Sequence, residues 1–488
     1  MTRPRALGLL LLAVLGMRLA LLLKSQHFVC GDEASVGVMA KHVLEGTEHP
    51  GFAWRSRYNG GAALTAYFAA AGFAALGMSE TVLKLVPMGL SVFAVVVVFR
   101  LAAASGSFSA ALTATVCYAS SVVLMKWNFD ARGGYMESQV LMPLSFLILD
   151  QYCLRPAPRL LHDALLGLLC GFGVYVFPLF LPTAVVCVLF VASRGRASSA
   201  LPGAAAWLVG ACVGAAPILL LGGDLAPLDA ANNRLLNDLW NVPVTLGKTL
   251  SRTLPALFRY DNLDGLPPIR GIPNLVEYAV AWVAVLAWLL HRRRTPVPGS
   301  RLGGVLSLYL FVFIVLFSLH PLAGEEARPL VFLEPALSIL TGLGLASLMG
   351  THRSLAMTLA AALLLSRSSE YVRLLGDERI LGPLGPSDPR VAPQIASLLE
   401  AQGIDRVVTD DWDLGWRIAF LTRERISVTH SFGTLGKLLR DDDERPRTAV
   451  IVNAASADAD RVSRLLERRG LVSSRAFDLE VFALRDLP

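Results

Sequence analysis

Charged residues are scarce in this sequence. Only 17% of the 488 residues are Asp, Glu, Lys or Arg, whereas 54% are hydrophobic, and the mean hydropathy is +0.55. An average soluble domain carries about 25% charged residues. The shortage of charge therefore argues against a water-soluble protein and predicts that lipid surrounds most of the chain.

Cysteine is also rare, and a glycine-rich nucleotide fingerprint is absent. Five of the six cysteines lie in or beside apolar stretches, and only Cys30 falls in a polar loop. Their spacing fits neither a disulfide framework nor a set of metal ligands. No GxGxxG motif follows the strand-like blocks of the C-terminal region, so no nucleotide site is inferred.

Positive charge is in modest excess, with 44 Lys and Arg against 38 Asp and Glu. Arg clusters stand at the ends of apolar runs, which is typical of residues that orient membrane helices. The excess therefore does not indicate a nucleic-acid partner. Arg3 and Arg5 precede an apolar run of residues 6–23 without a small-residue cleavage site, so we expect a retained first span with a cytoplasmic N-terminus.

Eleven apolar stretches are long enough to approach a hydrocarbon core of ~30 Å. They lie near residues 6–23, 83–103, 108–125, 138–153, 162–177, 179–192, 203–221, 277–290, 303–320, 329–349 and 354–368. A twelfth run, residues 62–77, would invert every later loop if it crossed. The basic loops at Arg155, Arg194 and 291–294 would then lie outside, against the positive-inside bias. We therefore expect about 11 transmembrane helices, with 62–77 at the outer membrane face and the C-terminus outside.

A change of composition near Tyr371 predicts two domains. Residues 1–371 are expected to form the transmembrane domain, and residues 372–488 a soluble external domain in which helix-like and strand-like blocks alternate, as in a small α/β layer. The helix-like blocks are 391–402, 412–422 and 458–469, and the strand-like blocks are 405–409, 449–453 and 480–484. The expected fold class is an all-α polytopic membrane protein with a small C-terminal α/β soluble domain.

The clearest polar signal follows the first span. Asp32 and Glu33 precede a short amphipathic helix pattern that ends at Gly46. An Asp at such a position commonly only caps the helix. A glycosylation reaction, however, needs a carboxylate to accept the proton of the nucleophile and cationic groups to stabilise a departing phosphate. The rest of the loop holds polar residues that fit the second need: Arg55, Arg57, Tyr58 and Asn59.

A second acidic cluster lies in the C-terminal region. Asp410, Asp411 and Asp413 surround Trp412 and fit a carbohydrate or cation surface. A solvated helix start is the simpler interpretation.

An ordered series of weak motifs covers roughly residues 6–350. The motifs are Gly31-Asp32-Glu33-Ala34, Tyr58-Asn59-Gly60-Gly61, Leu76-Gly77-Met78-Ser79-Glu80, Gly133-Gly134-Tyr135-Met136-Glu137 and Arg328 before Pro335. The series resembles the GT-C membrane glycosyltransferases, in the branch of protein O-mannosyltransferases, the lipid A aminoarabinose transferase and bacterial cell-envelope relatives. The Lys-Pro-Pro of the aminoarabinose branch is missing, which implies a different donor sugar or acceptor.

The resemblance implies roles for individual residues. Asp32 would be the general base and Glu33 its partner, while a second acid would come from the next external loop, either Glu137 or its rival Asp130. The donor would be a sugar on a polyprenyl or dolichyl phosphate. Metal use stays open, because paired carboxylates fit an enzyme with or without a divalent cation, and no cofactor is assigned.

Two arginines are candidate ligands of the carrier phosphate, since an arginine fork fits phosphate oxygens. Arg328 opens a predicted span, where a snorkelling basic residue at the helix end is the alternative interpretation. Arg132 stands beside the second acidic loop and could equally pair with Asp130.

The expected protein is therefore a glycosyltransferase, for hexosyl or pentosyl groups, in the bacterial inner membrane. It would transfer a sugar from a polyprenyl-phosphate donor to a lipid, glycan or protein acceptor on the non-cytoplasmic face. A transporter or flippase of lipid-linked precursors is one alternative and predicts inverted repeats with charges near the bilayer midplane. A noncatalytic envelope assembly protein is the other, and would tolerate neutralisation of Asp32.

Overall fold

The structure, a computed structural model, describes most of the chain. The described residues are 3–24, 29–53, 59–153, 160–193, 197–221, 242–256, 272–294, 300–319, 328–376, 391–409, 411–430, 448–453, 472–476 and 479–483.

Helices account for most of these residues. The first ten are α1 (Arg3–Lys24), α2 (Gly31–Glu45), α3 (Gly60–Leu76), α4 (Glu80–Ser105), α5 (Phe108–Ala119), α6 (Val122–Trp127), α7 (Tyr135–Ile148), α8 (Leu160–Val176), α9 (Leu181–Ala192) and α10 (Ala197–Leu220). The others are α11 (Val242–Lys248), α12 (Leu254–Ala256), α13 (Ile272–Arg294), α14 (Ser300–Ser318), α15 (Glu334–Thr351), α16 (Arg353–Gly376), α17 (Val391–Ala401) and α18 (Trp412–Leu421). Short 3₁₀ or π-helical segments lie at Leu149–Cys153, Pro178–Phe180, Thr249–Thr253 and Arg328–Leu333.

The apolar runs of the sequence coincide with helical structure, as predicted. Among the described residues, four helices are long and apolar enough to cross a membrane, at Arg5–Lys24, Glu80–Ala104, Ala200–Leu220 and Pro329–Thr351, and six shorter apolar helices accompany them. Large apolar side chains on these helices, such as Leu201, Leu219 and Phe311, are exposed. Lipid accommodates such surfaces, whereas water does not. The chain is an integral membrane protein.

The chain folds as two compact units. The first, here the helical unit, comprises Met1–Lys24, Pro50–Thr65 and Lys84–Ile380. The second, here the mixed unit, comprises Ser25–His49, Ala66–Leu83 and Leu381–Pro488. Two N-terminal segments thus belong with the C-terminal residues. The expected boundary near Tyr371 differs from this division, because it assigns both segments to the transmembrane domain.

Glycines let α8 and α10 pack closely within the helical unit. Gly167 and Gly171 lie against the backbone of α10, while Gly210 and Gly214 lie against the backbone of α8. At each position an added Cβ would overlap a carbonyl oxygen of the other helix. Small residues four apart on both helices are a common means of close helix association in lipid.

A buried group of paired charges joins four helices of the same unit. The Arg367 guanidinium on α16 lies 3.3 Å from Glu277 of α13 and 3.9 Å from Glu334 of α15. It also donates to the Ser120 hydroxyl at 3.0 Å and to the Cys117 carbonyl beside it. The three charged residues are at most 5% exposed, and such burial requires that charges be paired.

The mixed unit contains a five-stranded sheet of order β2-β1-β3-β5-β4. Its strands are β1 (Arg406–Thr409), β2 (Ser427–His430), β3 (Thr448–Asn453), β4 (Val472–Ala476) and β5 (Leu479–Ala483). β1 pairs in parallel with β2 and β3, while β5 pairs antiparallel with β3 and β4. Apolar residues of α17, α18, β1 and β3 form the core beside the sheet.

The α/β character of the C-terminal region is confirmed. The predicted helices at 391–402 and 412–422 correspond to α17 and α18, and the three predicted strands correspond to β1, β3 and β5. The predicted helix at 458–469 lies outside the described residues. The sequence pattern missed β2 and β4, because Ser427–His430 and Val472–Ala476 each hold few apolar residues and show no clear alternation.

Helix α2 of the first loop packs against α18 of the C-terminal region, both in the mixed unit. Gly37 allows the close approach, since a Cβ at this position would overlap the Phe420 ring. The Phe420 ring also contacts Phe73 of α3, with 6.4 Å between the centroids. The helix that carries Asp32 is therefore held by residues almost four hundred positions later in the chain.

Candidate functional site

Helix α2 begins with a capping box that separates the roles of its two acids. Cys30 is the N-cap residue, and the Glu33 carboxylate accepts a hydrogen bond from the Cys30 backbone N–H at 3.0 Å. This reciprocal arrangement satisfies donors that the first helical turn leaves without intrahelical partners. Glu33 is 3% exposed, whereas the neighbouring Asp32 is exposed. Asp32 is thus presented at the surface of a capped helix start.

The start of α18 fixes the start of α2. The Gly31 backbone N–H donates to Asp413 Oδ1 at 2.6 Å, and the Trp412 indole N–H donates to Asp32 Oδ1 at 3.3 Å. A side chain at position 31 would overlap Asp413, so the Gly31-Asp32 pair fits this contact. The Asp413 carboxylate is also favoured electrostatically by the positive end of the α2 dipole.

The C-terminal end of α2 contacts the turn after α18. The Glu424 carboxylate lies 2.9 Å from Lys41 Nζ and 2.7 Å from His42 Nε2. Partial burial opposes the charge of Lys41, but hydrogen bonds and attraction to Glu424 and Glu45 prevail and raise its pKa. Glu424 itself has a φ of 58°, a left-handed conformation that non-glycine residues adopt at a cost. Contacts at both ends therefore orient α2.

A buried arginine lies among the acids of the mixed unit. Arg417 of α18 is 1% exposed, and burial lowers the pKa of its guanidinium although Glu80 and Asp413 act in the opposite direction. An arginine side chain is ordinarily charged at neutral pH. Its charge offsets part of the negative charge of the surrounding carboxylates.

In the helical unit, the turn after α6 carries Asp130 and Arg132. Asp130 Oδ2 lies 3.0 Å from Arg132 Nε, and Asp130 Oδ1 accepts the Arg132 backbone N–H at 3.3 Å. The Arg132 guanidinium also lies over the Trp127 ring, 5.7 Å from its centroid. Of the two roles expected for Arg132, the pairing with Asp130 is the one present in this structure.

Glu137 lies buried near the start of α7 and joins two sequence motifs. Its carboxylate accepts hydrogen bonds from the Thr65 hydroxyl of α3 and from backbone N–H groups of the α7 start. The backbone near Gly61 and Ala62 passes close to Gly133 and Gly134, which have φ values of 75° and 85°. Only glycine adopts this conformation readily and leaves room for the neighbouring backbone. One contact thus explains Gly61 and Gly133, whereas Gly60 lies against Tyr175 and Gly134 against Phe177.

Aromatic rings surround this turn in the helical unit. Tyr135 stacks on Trp127 with 3.9 Å between centroids, and it contacts Phe177 at 5.0 Å. Phe177 in turn stacks on Phe332 at 5.4 Å. The turn with Asp130 and Arg132 therefore stands beside a packed group of large apolar rings, within one unit.

No protein-family model and no curated protein sequence matches this chain. Solved structures do match. The crystal structure of ArnT from Cupriavidus metallidurans bound to undecaprenyl phosphate aligns with a TM-score of 0.63 and 13% identity, over 98% of this chain and 97% of that chain. Archaeal oligosaccharyltransferase AglB from Archaeoglobus fulgidus, in complex with an inhibitory peptide and a dolichol-phosphate, aligns with a TM-score of 0.54 and 10% identity, over 91% of this chain and 69% of that chain. The chain has the GT-C fold.

The resemblance noted in the motifs is thus confirmed at the level of the fold. In this GT-C fold, Asp32 and Glu33 belong to the mixed unit, whereas Asn59, Asp130, Arg132 and Glu137 belong to the helical unit. Asn59 accepts the Ala62 backbone N–H at 3.2 Å and so starts α3. Arg55, Arg57 and Tyr58 lie outside the described residues, and Arg328 is described only as the first residue of a 3₁₀ segment.

Sequence reasoning did not give a functional role to several residues that build this candidate site. Trp412 and Asp413 were noticed as part of an acidic cluster, but the sequence carries no signal that they contact residues 31 and 32. Thr65 and Glu424 had no distinguishing pattern at all. Such partners are found only when the fold brings distant segments together.

Proposed function

We propose that this protein is a membrane glycosyltransferase that transfers a sugar from a polyprenyl-phosphate donor to an envelope acceptor on the non-cytoplasmic face. The observation that carries the proposal is a fold shared over nearly the full length of both chains with ArnT, whose structure holds undecaprenyl phosphate. A sugar carried by such a lipid needs an enzyme whose reactive groups lie at the membrane boundary. The apolar helices and the acidic first loop fit this requirement.

In the proposed reaction, Asp32 is the general base. Its carboxylate accepts the proton of an acceptor hydroxyl or amine while that group bonds to the anomeric carbon of the sugar. The bond between this carbon and the phosphate oxygen breaks, and the lipid phosphate leaves with the electron pair. The exposure of Asp32 on a capped helix supports this assignment, and the buried capping role of Glu33 makes Glu33 the supporting residue.

For the second acid we favour Asp130 over Glu137. The Glu137 carboxylate is engaged by the Thr65 hydroxyl and by backbone N–H groups, which suits a brace between α3 and α7. Asp130 instead pairs with Arg132 in a turn. In the proposal, Arg132 exchanges this partner for a donor phosphate, and Arg328 is a second candidate for the same task. Metal dependence remains to be tested by chelation and addition of divalent cations.

A transporter is the weaker candidate. The buried charges of Arg367, Glu277 and Glu334 are paired with one another. Glu334 lies in the first turn of α15, and Glu277 lies in the second turn of α13. A transporter is expected to hold its polar site near the bilayer midplane, between repeats. Paired charges near helix ends fit a structural role in an enzyme at least as well.

The test is a transfer assay with purified full-length protein in lipid discs. Radiolabelled polyprenyl-phosphate sugars are supplied with a lipid extract of bacterial membranes as acceptor source. We expect transfer by the wild type and a loss of about 10²-fold or more for Asp32→Asn, since general base catalysis contributes about 10²–10⁴-fold. Glu400→Gln, which neutralises an exposed acid elsewhere in the mixed unit, serves as the control and should retain full activity.

Undiminished transfer by Asp32→Asn would remove the base assignment. Movement of labelled lipid across a vesicle membrane, without any transfer of the sugar, would favour the transporter instead.

A further inference from the structure

Three aromatic side chains cluster directly beside Asp32. Trp412 and Trp416 of α18 meet edge to face with 5.5 Å between centroids, and the His430 ring at the end of β2 lies 5.1 Å and 5.2 Å from them. All three residues are half-buried. Since the ring nitrogens of Trp416 and His430 are buried, what these two rings expose is carbon.

The position of this aromatic cluster within the sheet is typical of a binding site. Thr409 of β1 and His430 of β2 are register partners at the carboxyl ends of two parallel strands. In the strand order β2-β1-β3 the reversal lies between β1 and β3, so Thr409 at the end of β1 borders it and His430 lies one strand away. Ligands of open α/β sheets bind outside the carboxyl ends of strands, where the strand order reverses. Helix α18 begins at this edge.

The cluster is also held rigidly. A Cβ at position 415 would contact both the His430 ring and Thr409, so Gly415 lets the His430 ring pack flat against α18. The Trp412 indole is fixed by its hydrogen bond to Asp32. Rings that are already ordered lose little conformational entropy when a ligand arrives.

The described charges around the aromatic cluster favour a neutral ligand over a phosphate on the rings themselves. Asp32, Asp411 and Asp413 lie at or next to Trp412, and the nearby cation, Arg417, is buried. An anionic donor headgroup would be repelled, whereas the hydroxyl donors of a neutral sugar would find carboxylate acceptors. A pyranose ring also has an apolar face of C–H groups that complements an aromatic surface.

From these observations we propose that Trp412, Trp416 and His430 form the acceptor subsite of the enzyme, and that the acceptor is a carbohydrate. A pyranose ring of a glycan or glycolipid lies on the aromatic carbon surface and places one hydroxyl at Asp32. This inference rests on the function proposed above, and it adds the chemical class of the acceptor.

Binding is tested separately from transfer, in the Asp32→Asn background that removes the base. Methyl glycosides of glucose, mannose, galactose and arabinose are offered at millimolar concentration to the full-length protein in lipid discs, and saturation-transfer NMR reports their contacts. We expect saturation on the ring C–H protons of at least one glycoside. Trp416→Ala should weaken its binding several-fold to about tenfold, as the loss of an aromatic contact does.

Two further variants keep the result interpretable. Trp416→Phe retains a ring and should bind nearly as well, so a loss in Trp416→Ala alone points to the aromatic face. Trp282→Ala removes a half-buried tryptophan of the helical unit and should leave glycoside binding unchanged. The absence of saturation in every glycoside would overturn the proposal, and so would Trp416-dependent binding of serine-containing peptides without any glycoside binding.

Transfer kinetics distinguish the two proposals. In the Asp32-containing enzyme, Trp416→Ala should raise KM for the acceptor while kcat is largely kept, because the proposal gives Trp416 a role in acceptor binding and not in proton transfer. Glycoside binding without sugar transfer by any variant would contradict the glycosyltransferase function but support the carbohydrate site. Sugar transfer with an unchanged acceptor KM in Trp416→Ala would support the glycosyltransferase function but contradict the carbohydrate site.

Discussion

Adjacent carboxylates at positions 32 and 33 have opposite surroundings, and so their replacement has opposite consequences. Glu33→Gln should retain near wild-type stability and transfer, because glutamine also completes a capping box. Glu33→Ala should lower the free energy of unfolding by about 1 kcal/mol through loss of the cap. Thermal unfolding and transfer assays on both variants, beside Asp32→Asn, provide the measurement.

If Glu33→Gln instead abolished transfer in a folded protein, Glu33 would have to take part in the reaction directly. The capping assignment would then be insufficient.

The hydrogen bond from Trp412 to Asp32 gives a second prediction at this scale. Trp412→Phe keeps an aromatic ring but removes the indole N–H, so the Asp32 carboxylate loses its hydrogen bond from Trp412. We expect kcat to fall several-fold with little change in the acceptor KM. An unchanged kcat would mean that this contact does not orient the base.

The sequence predicts the residue types of the site better than their roles. The sequence shows acids beside apolar runs at Asp32, Glu33 and Glu137. It does not distinguish a carboxylate at the surface from one that caps a helix. That distinction depends on Cys30 being the N-cap residue, two positions before Asp32 and three before Glu33. Likewise, the brace between Thr65 and Glu137 joins residues of two separate motifs.

Among the helices, the contact between α8 and α10 makes the sharpest prediction. Gly171→Val places a branched side chain against a carbonyl oxygen of α10, and should separate the helices or prevent folding, since these backbones touch. Gly89→Val, in an open position of α4, is the matched control and should fold normally. Size-exclusion profiles and thermal unfolding in detergent measure the difference. Equal behaviour of the two variants would contradict the close packing.

Helix α2 offers an element-scale prediction that depends on pH. Glu424→Gln weakens the contact with Lys41 and His42 and should lower the free energy of unfolding by about 1 kcal/mol at neutral pH. The pKa of Lys41 is raised in the folded protein, so its part of the stabilisation is complete below the ordinary lysine value of about 10.4. It is lost as the pH rises through the raised folded value.

Thermal unfolding of the wild type and of Glu424→Gln across alkaline pH therefore tests the direction of this pH dependence. The difference in the free energy of unfolding between the two proteins should narrow only in strongly alkaline solution. A difference in the free energy of unfolding that widened at alkaline pH would show that this carboxylate does not stabilise the charged form of Lys41.

Patterns of apolar residues predicted the helices of this protein and most of its sheet, since burial in lipid or in a core leaves a clear periodicity. They failed for β2 and β4, where short polar strands are held by pairing with their neighbours and carry little hydrophobic signal. The two-unit division was also beyond sequence reasoning. Ser25–His49 and Ala66–Leu83 lie among membrane helices in the chain and yet belong with the α/β part.

For the molecule as a whole, the ion cluster around Arg367 predicts strong coupling between helices. Arg367→Met leaves Glu277 and Glu334 buried without their cation and should destabilise the helical unit by about 3–5 kcal/mol. The triple variant Arg367→Met, Glu277→Gln, Glu334→Gln removes the charges together and should recover much of that loss. Unfolding in a denaturing detergent series measures both, and equal losses would contradict the pairing.

The three-segment composition of the mixed unit has a consequence for biogenesis. The loop with Asp32 emerges from the ribosome early, but the strands and α18 that hold it are made only after all the membrane helices described here. Until then the loop lacks the partners that fix its orientation, and the proposed glycosyltransferase would lack an oriented base during its synthesis. Translation order itself would thus keep the enzyme silent until insertion is finished.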